Sequence, residues 1–142
     1  MLISGFLLVA ILFGGMVLYS FGFAAFIFHA LPPEAAGPTI RRAFPYFYLF
    51  IIVSATFSSI LIFPFDAISA TLLALIAITT LPTRQLLMPA INKATDRADK
   101  TSFRILHSLS VTVTLSHIFI SGWVLFRFIH TCFRSELINN LI

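Results

Sequence analysis

Five residues in the last apolar stretch of the chain alternate imidazole and hydroxyl groups. They are His107, Ser110, Thr114, His117 and Ser121, spaced 3, 4, 3 and 4 residues apart. That interval aligns them along one face of an α-helix. Two histidines on such a face could line a proton, haem or quinone site. The plainer reading is that the stripe hydrogen-bonds to neighbouring helices and fixes their packing, and that reading is preferred. Leu106, Val113, Ile120 and Leu125 are expected on the opposite face. His29 and His107 both fall near the same end of their helices and could meet as a pair of haem ligands, although no C-x-x-C-H attachment motif is present. His117 lies about 15 Å deeper along the helix. His130 is expected at the other end, in water.

A second group is charged. Glu34, Arg41 and Arg42 precede one apolar stretch, and Arg104 and His107 begin another. If the first and last helices are neighbours, these residues gather at one membrane boundary, with Glu34 able to pair with Arg104. Asp66 reads as a helix N-cap rather than a catalytic acid. Asp96 and Lys100 form a favourable i,i+4 pair. Gly15, Gly22 and His29 recur at intervals of seven, and the glycines suit close helix packing. Walker A, G-x-S-x-G, H-E-x-x-H and dinucleotide signatures are all missing from the sequence.

The elements that carry these residues follow from composition. Of 142 residues, 59% are hydrophobic and 10% charged, and mean hydropathy is +1.03. Soluble domains carry about 25% charged residues. A chain this apolar cannot cover its own surface in water, so a soluble enzyme, a nucleic-acid-binding domain, a disordered chain and a disulfide scaffold are excluded. The single cysteine, Cys132, allows no intrachain disulfide.

Charge-free stretches predict an all-α membrane four-helix bundle forming one domain, with spans at about 5–30, 45–64, 67–83 and 104–126, each near the roughly 20 residues that cross a bilayer. Leu31-Pro32-Pro33 should end the first helix. Pro45 should lie in the first turn of the second. Pro64-Phe65-Asp66 should link two antiparallel neighbours. Arg84 should snorkel from the end of the third, and residues 90–100 should form a surface helix or extend the fourth. The N-terminus lacks a positive region and a cleavage signal, so it reads as a retained helix.

Seven of the nine Lys and Arg residues fall in 31–44 and 82–104, and Arg127 and Arg134 fall on the opposite side. The positive-inside rule then places both basic segments in the cytoplasm and both termini outside. Phe44-Pro45-Tyr46-Phe47-Tyr48 should sit at the cytoplasmic interface and Trp123 at the other. The basic balance is an orientation signal and implies no nucleic-acid partner.

Two stretches together resemble a known family. One runs from Gly15-Met16-Val17-Leu18-Tyr19-Ser20-Phe21 through Phe28-His29-Ala30-Leu31-Pro32-Pro33-Glu34-Ala35-Ala36-Gly37 to Phe44-Pro45-Tyr46-Phe47-Tyr48. The other joins Met88-Pro89-Ala90-Ile91-Asn92 to Phe103-Arg104-Ile105-Leu106-His107-Ser108-Leu109-Ser110. Their succession is similar to the transmembrane-protein-205-like family, a domain-of-unknown-function group. That resemblance implies a four-helix fold and a membrane location without an established reaction. The family's intramembrane asparagine after the histidine-serine element is replaced here by Val111-Thr112-Val113-Thr114.

The function expected is that of a non-catalytic accessory or assembly component. It would reside in a bacterial inner membrane, with the lipid bilayer and other membrane proteins, or its own copies, as partners. The alternatives are a haem- or quinone-binding redox protein using the histidines, and a small oligomeric transporter or channel. The absence of a carboxylate at depth weighs against a proton-driven pump.

Overall fold

The computed structural model describes residues 2–139, with side chains described to residue 131. Cys132 and Arg134 lie outside the described side chains. Four helices account for nearly everything described: α1 (Leu2–Ala30), α2 (Pro33–Ile62), α3 (Ala67–Asp96) and α4 (Lys100–Asn139). Each is long and apolar enough to cross a membrane. Among the described residues there is no strand. In lipid every backbone polar group must be satisfied within its own segment, which is why the chain resolves into helices.

The joints show how the sequence enforces the reversals. Leu31 is extended at φ −113°, ψ 148°, and Pro32 at φ −57°, ψ 149°. Each precedes a proline whose ring disfavours the helical region for the residue before it. Pro33 then opens α2 from its first turn, where a missing N–H costs nothing. The expected start at Pro45 is therefore corrected. Pro38 and Pro45 both lie inside α2, and residues 33–44 are helical rather than loop. Pro45 leaves the Arg41 carbonyl without its helical partner, which is tolerable near an interface that water can reach.

At the opposite end Phe63–Asp66 makes the tight turn into α3. Asp66 caps α3, its Oδ1 accepting from the amides of Ile68 and Ser69, both at 3.1 Å. The expected end of α3 at residue 83 is also corrected. Thr83–Leu87 widens into a π-helical turn and the helix runs on to Asp96, so residues 90–96 extend the third helix rather than the fourth. The carbonyl of Thr83 accepts from Met88 N–H, five residues on. Pro89 comes immediately after, and the wider turn lets the helix pass a proline that lacks the next donor. A second π-helical segment, Leu18–Phe23, interrupts α1.

Between α3 and α4 the chain turns at 97–99. Ala98 adopts φ 54°, the left-handed conformation usual after a helix C-terminus, and Asp99 N–H donates to Ala94 O at 3.0 Å. Asp99 then caps α4 through Ser102 N–H at 3.0 Å. This turn separates Asp96 from Lys100, and Asp96 instead pairs with Arg41 across the bundle at 2.6 Å.

The helices form a closed ring in which α1 packs on α2 and α4, and α3 packs on α2 and α4. Val9, Leu12 and Met16 of α1 meet Ile51, Ala55 and Ile62 of α2 and Ala70, Leu73 and Ile76 of α3, each at 1% exposure or less. With lipid outside, close packing rather than exclusion of water holds such a core. Gly5 allows a close approach of α1 to α2: a Cβ there would lie 2.7 Å from Ile62 Cγ1. Gly15 meets the Phe50 ring at 2.6 Å by the same measure. Gly22 is exposed and would meet only Leu18 of its own helix, so it makes no interhelical approach and the packing expected of it is corrected.

Candidate functional site

The inward face of α4 is mostly polar. Ser110, His117, Ser121 and Val124 are its buried side chains, and Thr114 is half-buried. Two of the polar groups reach across to other helices. Ser110 Oγ lies 3.1 Å from Tyr48 OH of α2, and His117 Nε2 lies 2.8 Å from Thr79 Oγ1 of α3. The other two hydroxyls fold back on α4: Thr114 Oγ1 donates to Ser110 O at 3.0 Å and Ser121 Oγ to His117 O at 2.9 Å.

A second contact of Thr79 constrains which partner donates to the other. Thr79 Oγ1 also lies 2.7 Å from Leu75 O, which can only accept. A hydroxyl has one proton. Donating it to Leu75 leaves Oγ1 as acceptor for an Nε2–H of His117. The reverse arrangement would leave an imidazole N–H at Nδ1 without a partner, the costlier vacancy in a buried site.

His107 does not belong to this inward face. It is exposed and stacks on Phe103, with ring centroids 5.3 Å apart. Leu106, Val113, Ile120 and Leu125 are half-buried flanks rather than the outward face, and Ile120 and Leu125 pack against the core. The reason is in the spacing. Leu106 is one turn before Ser110 and Val113 one turn after it, so they share its side of the helix. The outward face is carried by Ile105, Leu109, Phe119 and Phe126, all more than half exposed.

At the end of the bundle holding the 31–32 and 97–99 turns, Glu34, Arg42, Arg104 and His29 are exposed. Among the described residues Glu34 and Arg104 form no ion pair; the contact there is Arg41–Asp96, joining α2 to α3. His29 and His107 both open to the surface, so a haem between them would need a second chain or lipid to enclose it. Among the described residues no group of three or more potential metal-binding side chains is present.

Just inside this end, Tyr19, Phe23, Phe44, Phe47 and Tyr48 form an aromatic cluster. Tyr19 stacks on Phe47 with centroids 4.1 Å apart and planes 8° from parallel. A groove of about 370 Å³, apolar throughout, opens beside it between α1 and α2, lined by Gly15, Tyr19, Ala43, Tyr46, Phe47 and Phe50. The Tyr19 hydroxyl is enclosed without a hydrogen-bond partner among the described residues.

The opposite end is organised by Asp66. Besides the two amides, its Oδ2 accepts from Ser69 Oγ at 2.5 Å and faces Arg127 Nη2 of α4 at 3.4 Å. Burial alone would raise the carboxyl pKa. The Ser69 hydroxyl and amide and the Arg127 guanidinium outweigh it and hold the pKa below its usual value. Trp123 is 55% exposed and stacks on Phe126 near this end.

Several partners were not evident from the sequence. Tyr48 and Thr79 carry the interhelical hydrogen bonds, and Asp66–Arg127 joins residues 61 apart. A further spacing was legible: Ser108, Thr112 and Ser116 recur every four residues, and all three are exposed.

These features define an integral membrane protein built as a ring of four helices, with a polar seam between the last helix and its neighbours. The chain belongs to the family described as a domain of unknown function, DUF4149, whose pattern matches residues 7–100. The match takes in α1, α2 and α3 and stops where α4 begins. Tyr19, Arg41, Tyr48, Asp66, Thr79 and Asp96 fall within it; the α4 stripe falls outside. No curated protein and no solved structure matches the chain.

Proposed function

We propose that the protein is a non-catalytic component of a membrane assembly, acting through lateral contacts in the bilayer, with α4 as the helix it offers to a partner. The observation that carries this reading is the uneven cover of the helices. In the most apolar stretch of each, 39% of residues are buried in α2 and α3, 28% in α1 and 22%, the lowest share, in α4. The uncovered face of α4 holds Ser108, Thr112 and Ser116 in line. Thr112 and Ser116 each donate to the carbonyl four residues earlier at 2.9 Å, which leaves a narrow small-residue track between the exposed Ile105, Leu109 and Phe119. Such surfaces favour close approach between membrane helices.

The resemblance to the transmembrane-protein-205-like family supports the four-helix fold and the membrane location on which this reading depends. Seven of nine basic residues near one end support an orientation with that end cytoplasmic and both termini outside; the membrane proposed is a bacterial inner membrane. A haem- or quinone-binding role has less support, because His117 is engaged by Thr79 while His29 and His107 are exposed.

Cysteine cross-linking in native membranes tests the proposal, using a Cys132→Ser background. Thr112→Cys and Ser116→Cys should each give a discrete adduct of one mass with another membrane protein or a second copy. Ile78→Cys, on the 62%-exposed lipid face of α3, should give none. Equal labelling from all three positions, or no adduct from α4, would overturn the proposal.

A further inference from the structure

Arg127 has more hydrogen-bonding capacity than the bundle uses. Its guanidinium carries five N–H donors. One nitrogen, Nη2, faces Asp66, at 3.4 Å from Oδ2 and 3.5 Å from Oδ1. Charge-assisted pairs close to about 2.7–2.9 Å when both partners are available. Asp66 is not available in that sense, because Ile68 N–H, Ser69 N–H and Ser69 Oγ–H already hold its carboxylate at the start of α3. Arg127 Nε is enclosed and has no partner among the described residues. Nε is therefore out of a ligand's reach, and contact from outside falls to the terminal nitrogens of a side chain that is 34% exposed.

Beside this guanidinium is a recess of about 260 Å³ lined by Phe126, Arg127, His130 and Thr131. One water occupies about 30 Å³, so the recess has room for a group the size of a lipid phosphate and its adjoining glycerol. Thr131 Oγ1 donates to Arg127 O at 2.8 Å, which commits its proton, so among the described lining residues Arg127 and His130 carry the remaining donors. The Phe126 and His130 rings, with centroids 6.2 Å apart, supply an apolar wall.

Depth identifies the anion. Arg104 and Arg127 are consecutive charged residues on α4 with 22 residues between them. The helix therefore advances about 35 Å from one to the other, close to the roughly 30 Å hydrocarbon thickness. Arg127 thus lies at headgroup level, next to the interfacial ring of Trp123. The anion surrounding a side chain at that level is phosphodiester. We propose that Arg127 and His130 form a binding site for the phosphodiester of a membrane phospholipid, with Asp66 steering the guanidinium rather than neutralising it.

This inference is independent of whether α4 has a protein partner. It is tested by native mass spectrometry of the detergent-purified full chain with added dioleoyl phosphatidylglycerol, with dioleoylglycerol, and with inorganic phosphate as competitor. The parent protein should retain one phosphatidylglycerol through detergent exchange, and dioleoylglycerol should not be retained. Arg127→Gln should lower retention about tenfold, the loss of one charge-assisted contact. His130→Ala should lower it less. His130 is exposed, so that variant folds whatever Arg127→Gln does. Retention unchanged in both variants, or equal retention of dioleoylglycerol, would overturn the site. Displacement of the lipid by millimolar inorganic phosphate would overturn its assignment to a lipid.

Discussion

The His117–Thr79 contact gives a sharp test of the polar seam. Thr79→Val keeps the shape of the side chain and removes the acceptor for His117 Nε2–H. A hydrogen bond between membrane helices contributes about 0.6 kcal/mol on average and about 1.7 at most. This one sits at 5% exposure on the imidazole, and its loss strands an N–H, so the upper part of the range applies. Thr79→Val should cost about 1–2 kcal/mol. Thr79→Ser, which restores the oxygen, should recover most of that. His117→Leu removes the donor as well, so in the double variant the Thr79→Val penalty should nearly vanish. The coupling energy should then be about 1 kcal/mol. Unfolding by denaturing detergent titration, monitored by helical circular dichroism in mixed micelles, reads all five proteins on one scale. Additive penalties would show that the short contact carries no energy and that the seam is held by shape alone.

Other parts of the bundle give four further expected outcomes. Ala98→Gly should stabilise the protein by roughly 0.5–1 kcal/mol, because φ 54° strains alanine and not glycine, a gain visible as a raised midpoint in the same titration. Gly5→Ala should destabilise by about 1–3 kcal/mol through collision with Ile62, while Gly14→Ala, with open space at its Cβ, should be neutral or slightly stabilising. Asp66 has its pKa held low, so the stability it contributes is present above the usual carboxylate pKa and lost as pH falls through its depressed folded value. Asp66→Asn should flatten the acid limb of a stability–pH profile, and an unchanged limb would remove Asp66 from the account. Reporter fusions after Asn92 should behave as cytoplasmic and fusions after Ile142 as external; a cytoplasmic C-terminus would reverse the orientation inferred from the basic residues.

The helical class was legible from composition, and the reversals at Pro32 and Asp66 from local chemistry. Helix lengths were harder to read, because the end of an apolar stretch marks where lipid stops and not where the helix stops. Residues 33–44 and 84–96 are more polar than the stretches they adjoin and still continue the same helices, with Pro45 and Pro89 carried inside. The polar stripe was readable from spacing up to the point of naming its partners. Tyr48 and Thr79 look like ordinary interfacial and intrahelical residues until tertiary packing brings them to α4. Gly22 shows the opposite error: the seven-residue interval from Gly15 was real, but the π-helical turn at Leu18–Phe23 shifts the register of the helix, and Gly22 faces outward. Spacing rules assume a uniform helix, and a single widened turn breaks that assumption.

The ring order of the helices also bears on how the protein is made. Each helix packs on the one that precedes it in the chain, so α2 finds α1 already present and α3 finds α2 as each leaves the insertion machinery. Every contact of α4 waits for that helix, and the α1–α4 seam joins the first of the four helices to the last. It is closed by Phe6 stacked on Phe128, with centroids 3.6 Å apart, and by Phe13 against Gly122. Until α4 arrives, Tyr48 and Thr79 face a vacant side of a three-helix intermediate, with hydroxyls available to any passing helix. The last of these four helices therefore supplies both the closing wall and the partners that retire those hydroxyls. A truncated chain would be an open, sticky membrane surface rather than a smaller version of the same bundle.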